Sequence, residues 1–285
     1  MRHVFACVAF LGLGAIFMAP ASAAVIYNNL TPNNLMAMAS RVGGTFDIET
    51  ADDFVLGSPI TTINSASFVG LLVPGTGGTP SISEIVVEIY RVFPKDSNTV
   101  RIPNVPTRTN SPSDVEAADR DSGAGELTFT TAVVSPTFTA LNSVQPGGIH
   151  PSPLQTTGGN GALTGQEVQF NITFTIPFNL PADHYFFVPQ VLLTNGGQFY
   201  WLSASRPISG AGTTPFAPDL QVWTRDDALD PDWLRVGTDI VGGTTPPTFN
   251  AAFSLDGTLV PEPSTIVLLV TALTIISVRR WRAVQ

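Results

Sequence analysis

Nine residues, Val168-Gln-Phe170-Asn-Ile172-Thr-Phe174-Thr-Ile176, alternate apolar and polar side chains without a break. Successive side chains of a strand point to opposite faces, so this pattern describes a β-strand with one face buried and the other wet. Residues 83–92 read similarly, with Ile85, Val87 and Ile89 on one face and Glu84, Glu88 and Tyr90 on the other. Weaker strand signals lie at 53–56, 63–72, 126–134, 184–193, 198–204, 220–224 and 251–259. Pro189 assigns its strand to an edge or a bulge, because proline cannot donate to a ladder. The breakers between these runs come from 25 Gly and 24 Pro, and no convincing amphipathic helix interrupts them. The expected fold is all-β: a single jelly-roll-like β-sandwich of nine or so short strands over residues 24–259. Two long polar stretches, 94–125 and 142–165, interrupt it, and loops of that length tend to be functional or mobile.

The formal charge of -9 understates the acidity of this body. Arg2, Arg279, Arg280, Arg282 and Glu262 lie outside residues 24–259, which leaves nine basic residues against 21 acidic ones, a net -12. Such a surface repels a phosphate backbone, which argues against a nucleic-acid partner. The single cysteine, Cys7, lies in an N-terminal apolar run. If that run is removed, a disulfide framework, a thiolate metal site and a cysteine nucleophile are excluded together.

Both ends of the chain read as addresses. Met1-Arg2-His3, an uncharged stretch from Val4 to Met18, and small residues at Ala21 and Ala23 form a secretory signal peptide, with cleavage expected after Ala23. At the other end, residues 265–278 are uncharged and apolar. As a helix these 14 residues span about 21 Å, short of a ~30 Å hydrocarbon core. Arg279, Arg280 and Arg282 follow at once and can snorkel to headgroups, with Trp281 at the interface. The arginines would stay cytoplasmic and residues 24–260 outside. Pro261-Glu262-Pro263 precedes the span as a stiff, extended peptide just outside the membrane.

A short Pro-Glu-Pro peptide, an apolar stretch and terminal arginines, in that order, resemble the PEP-CTERM sorting signal of Gram-negative bacteria. The resemblance covers residues 260–285 and implies that an exosortase-type membrane enzyme reads Pro261, Glu262 and Pro263 and removes the tail, with Arg279, Arg280 and Arg282 as the stop-transfer cluster. Ala51-Asp-Asp-Phe-Val-Leu, Ile63-Asn-Ser-Ala-Ser-Phe68 and Ile85-Val-Val-Glu-Ile-Tyr90 also look like the sandwich bodies that such proteins carry, a group with no common activity. The implied division is a signal peptide at 1–23, a β-sandwich at 24–259 and the sorting signal with its transmembrane helix at 260–285.

Chemistry is harder to find. The body has two histidines, His150 and His184, without His-x-His, His-Glu-x-x-His, a Gly-x-Ser-x-Gly elbow or a phosphate-binding glycine loop. Asp183–His184 beside a serine would be an unspecific triad. Asp114-Val-Glu116-Ala-Ala-Asp119-Arg-Asp121-Ser-Gly123-Ala-Gly-Glu126 contains an Asp-x-Asp-x-Gly kernel, so Asp119, Asp121 and Glu126 are calcium candidates, although a full EF-hand loop is absent. The plainer reading is a solvated acidic loop, and the same holds for Thr224-Arg-Asp226-Asp227-Ala-Leu-Asp230-Pro-Asp232. Trp201, Trp223 and Trp233 could stack on pyranose faces, or serve as packing. The sequence therefore describes an exported, non-catalytic cell-surface or extracellular-matrix protein, handled by signal peptidase and an exosortase-type enzyme. A carbohydrate-binding module that takes extracellular polysaccharide is the alternative, and a secreted hydrolase a more distant one.

Overall fold

The computed structural model describes residues 23–43, 47–98, 110–149, 156–205, 220–226 and 233–259. Within these residues thirteen strands follow in order: β1 (Ala23–Asn28), β2 (Pro32–Ala39), β3 (Ile48–Val73), β4 (Ile82–Arg91), β5 (Ala118–Asp121), β6 (Leu127–Ala140), β7 (Asn142–Val144), β8 (Leu163–Leu193), β9 (Gln198–Ala204), β10 (Trp223–Asp226), β11 (Leu234–Arg235), β12 (Asn250–Ala251) and β13 (Phe253–Leu259). Among the described residues only Pro146–Gly148 and Val236–Val241 are helical turns. The body is all-β, built as a curled sheet. The sorting motif, the Arg279, Arg280 and Arg282 cluster, the 265–278 span and Ala21 all lie outside the described residues. Within those residues, no helix is long and apolar enough to cross a membrane.

Two strands organise everything else. β3 has 26 residues and β8 has 31, and they pair antiparallel from Asp52 opposite Phe187 to Leu72 opposite Gln166. Four of the short strands expected from the sequence are thus arms of one long ribbon. Its register slips twice, between Leu56 and Ile60 and between Ile63 and Ser65. Gly57-Ser58-Pro59 is the excess on β3 in the first slip, and Phe174 to Pro177 is the excess on β8 in the second. Extra residues on one strand bend it and sharpen its twist. Pro59 and Pro177 fall inside these slips, where a missing amide breaks no ladder bond. The ribbon consequently folds over on itself. Phe68 in one arm and Phe187 in the other have ring centroids 6.5 Å apart.

In the first arm, β8 takes β6 on its free flank, and β3 takes β13 and then β9. β1 covers β13, β2 pairs with β9, and β7 runs parallel to β2. In the second arm, β4 and then β5 extend from β8, while β10 and β11 extend from the start of β3. The main core fills the space between the arms and includes Phe54, Phe68, Ile85, Val87, Phe170, Phe187, Phe199, Trp201 and Phe253.

The alternating segment behaves as expected up to the corner. Val168, Phe170, Ile172 and Phe174 are buried, but Ile176 is 50% exposed because it lies in the second slip. Pro189 sits two residues past the last β3–β8 pair, at a flank where that ladder has ended. β4 departs from the reading of one wet face. Ile85, Val87 and Ile89 enter the main core, while Tyr90 on the other face is only 1% exposed. It belongs to a second, smaller core with Ala51, Val92, Phe186, Val188, Leu220, Trp223 and Trp233. The two long polar stretches are not wholly irregular either, since they contribute β5 and β7.

Candidate functional site

The second core is where charge and aromatic surface meet. Alternation along β3 directs Glu49, Ala51 and Asp53 to the back of the second arm, together with Glu88 and Tyr90 of β4, His184 and Phe186 of β8, and Trp223 and Arg225 of β10. Arg225 lies at the centre. Its Nε donates to Glu49 Oε2 at 2.8 Å and one terminal nitrogen to Glu49 Oε1 at 3.0 Å, a two-pronged pair whose side chains are 7% and 6% exposed. The same guanidinium donates to the Tyr90 hydroxyl at 3.0 Å and to the Asp114 carbonyl at 3.3 Å. Its carbon lies 4.6 Å from the Trp233 ring centroid and 5.4 Å from that of Tyr90. The Trp233 indole donates to the Ser113 carbonyl at 3.0 Å, which fixes the stacked ring in turn.

The Tyr90 hydroxyl passes the chain on to Glu88 Oε2 at 3.3 Å. Burial, then the negative charge of Glu49, push the Glu88 carboxyl up to about 9, against a smaller opposing effect of Arg225. Glu88 is therefore protonated at neutral pH, and Glu49 is the carboxylate that neutralises Arg225. Burial also pushes the Tyr90 phenol far above its ordinary range, with Glu49 adding to the effect. Because the folded chain holds the Glu88 proton to a higher pH than the unfolded chain does, stability falls as pH rises from about 4.5 to about 9. A Glu88→Gln variant should remove that slope and gain about 1–3 kcal/mol at pH 8. Urea melts of both proteins at pH 5 and pH 8 check this; an unchanged slope in the variant means that Glu88 is not the group concerned.

His184 and Asp53 form a second pair on this face, with Nε2 and Oδ2 2.7 Å apart and side chains 1% and 11% exposed. The sequence neighbour Asp183 accepts the His184 backbone amide at 2.9 Å, while the imidazole pairs with Asp53. The two oxygens of Asp183 take the Lys95 ammonium at 2.7 and 2.5 Å. Beside these groups an open cleft of about 360 Å³ is lined by Arg91, Asp96, Glu116, Asn179 and Tyr185. Its guanidinium is already bound by Asp96 through two contacts of 2.5 Å.

The sequence candidates separate as follows. Trp201, Trp223 and Trp233 are 0%, 1% and 1% exposed, so none presents a face to a sugar. Trp201 packs against Phe187 and Phe253 and donates to the Ala252 carbonyl, while the other two belong to the second core. Asp121, the last residue of β5, is half-buried and bonds to its own turn. Its Oδ1 accepts the Gly123 amide at 2.6 Å, and Glu126 Oε2 accepts the Asp121 amide at 3.2 Å, which closes the turn between β5 and β6. Asp119 lies on β5 opposite Glu88. Among the described residues no group of three or more His, Cys, Asp or Glu side chains could hold a metal ion. In the second acidic stretch, Arg225 and Asp226 are buried in β10 rather than solvated. Asp227, Asp230, Asp232 and His150 lie outside the described residues. Sequence reasoning had Arg225 only as part of an acidic stretch and missed its pairing with Glu49, because 176 positions separate the two. No family model matches the chain, and no curated protein or solved structure matches it either.

Proposed function

We propose that the chain is an exported, non-catalytic protein of the cell surface or extracellular matrix, sorted through Pro261-Glu262-Pro263 and its flanking span. The observation that carries this reading is the ordered Pro-Glu-Pro peptide, apolar stretch and Arg279, Arg280 and Arg282 at the C-terminus, matched by a basic, apolar, small-residue leader at the N-terminus. On this reading the curled sheet is a jelly-roll-like sandwich, the leader is cut by signal peptidase, and an exosortase-type enzyme acts on the tail. The ionisable groups of the body support a structural role, because Arg225 with Glu49, Arg91 with Asp96, and Lys95 with Asp183 occupy one another. The carbohydrate-binding alternative loses its platform, since its three tryptophans are interior.

Intact-mass measurement on protein recovered from the cell surface and the medium tests the reading. The expected mass begins at Ala24 and lacks residues 265–285. A protein that stays in the cytoplasm with residues 1–23 attached overturns it, and a surface protein that keeps residues 265–285 replaces processing with simple anchoring.

A further inference from the structure

β1 pairs with β13 along its length, with Ala23 opposite Thr258, Ala24 opposite Gly257 and Asn28 opposite Ser254. The pairing is antiparallel, so the start of β1 and the end of β13 leave the body at the same edge, with paired Cα atoms about 5 Å apart. That edge is also the corner where the β3–β8 ribbon folds. Leu259, the last residue of β13, is opposite Thr61, and Ile60 and the Phe174–Pro177 excursion stand at the same corner. The segments that meet there carry three large apolar residues that are exposed, Ile60 at 48%, Ile176 at 50% and Leu259 at 46%. Arg120 is fixed beside them by donating to the carbonyls of Ile176 and Pro177, with its guanidinium 4.3 Å from the Phe178 ring centroid.

We infer that this corner is the surface on which the body rests against a lipid bilayer while its tail is inserted. The inference rests on the sorting reading above and adds to it the orientation and the contact residues. Five residues, 260–264, separate Leu259 from the apolar span. Even fully extended they reach no more than about 18 Å, which keeps Leu259 and the corner beside it within that distance of the span, closer than any other part of the body. The leader, if still attached, leaves from the neighbouring strand and enters the same membrane alongside. A body of net charge -12 gains nothing electrostatically from an anionic leaflet. The contact is instead made by Ile60, Ile176 and Leu259 dipping into the interface, with Arg120 as the cation at headgroup level.

Full-length protein in phosphatidylethanolamine–phosphatidylglycerol vesicles tests this, with Cys7 replaced by serine. A bimane label is placed on Ile60→Cys, on Ile176→Cys or on Thr76→Cys, and lipids spin-labelled near the headgroup serve as quenchers. Thr76 lies beyond Val73, the far end of β3, which is itself about 40 Å from Thr61 by strand rise. Labels at 60 and 176 should be quenched several-fold more than the label at 76. Protein that floats with the vesicles but shows equal quenching at all three sites overturns the orientation and leaves sorting intact. Protein that fails to float overturns the tail as a membrane span and this inference with it.

Discussion

Replacing Arg225 with methionine should cost about 3–5 kcal/mol of folding stability, the range for breaking one partner out of a buried ion pair. The loss comes from what is left behind rather than from the contact itself. Glu49 is 5% exposed and would keep a charge in a layer of Tyr90, Trp223 and Trp233 with its two-pronged partner gone. The Tyr90 hydroxyl and the Asp114 carbonyl would lose a donor at the same time. Glu49→Leu alone should cost a similar amount, since it removes the carboxylate that holds the buried guanidinium by two bonds. The double variant Arg225→Met/Glu49→Leu should recover most of the loss, because apolar side chains of similar volume can replace a buried pair at little net cost. Guanidinium melts of the four proteins provide the cycle. Single variants that lose under about 1 kcal/mol would place the pair with solvent-exposed ones and remove the second core as a distinct unit of the fold.

That pair also marks where the sequence stops being informative. A periodic pattern reports which face of a strand is wet, and it does so wherever one face is indeed wet. Residues 168–174 meet that condition, and so their strand is plain in the sequence. β4 does not meet it, because Trp223 and Trp233 come from a segment more than 130 positions later to cover the face that carries Tyr90. β2 is silent for the same reason: Met36 to Ala39 are all buried, without alternation. Prolines and glycines misled in a different way. Gly57, Pro59, Pro177 and Pro181 read as turns that end strands, and they mark a bend in strands that continue. The acidic kernel around Asp121 shows the limit for sites. Carboxylates two apart can face a cation or turn back to their own amides, and only the position of the Gly123 and Asp121 amides decides.

The second large effect concerns the fold over of the ribbon. Phe187→Ala should cost about 3–5 kcal/mol, the usual loss for emptying a buried aromatic site. Phe187 is fully buried on the second arm, yet its ring lies flat on Phe253 of the first arm, with centroids 5.1 Å apart and planes at 8°. It also meets the edge of Trp201 at 6.0 Å and lies 6.5 Å from Phe68. One side chain thus joins β8 to β13, β9 and β3 across the interior. Phe187→Leu keeps most of the volume and should cost less than half as much, about 1–1.5 kcal/mol. The alanine variant should also lose near-ultraviolet circular dichroism from Trp201, whose environment the ring defines. The shape of the transition is the sharper test. With a single core between the arms, denaturation followed by tryptophan fluorescence and by far-ultraviolet circular dichroism should coincide in the wild type. If Phe187→Ala split them, the arms would be separable units held together at this contact, and a cost confined to one transition would show which arm depends on the other.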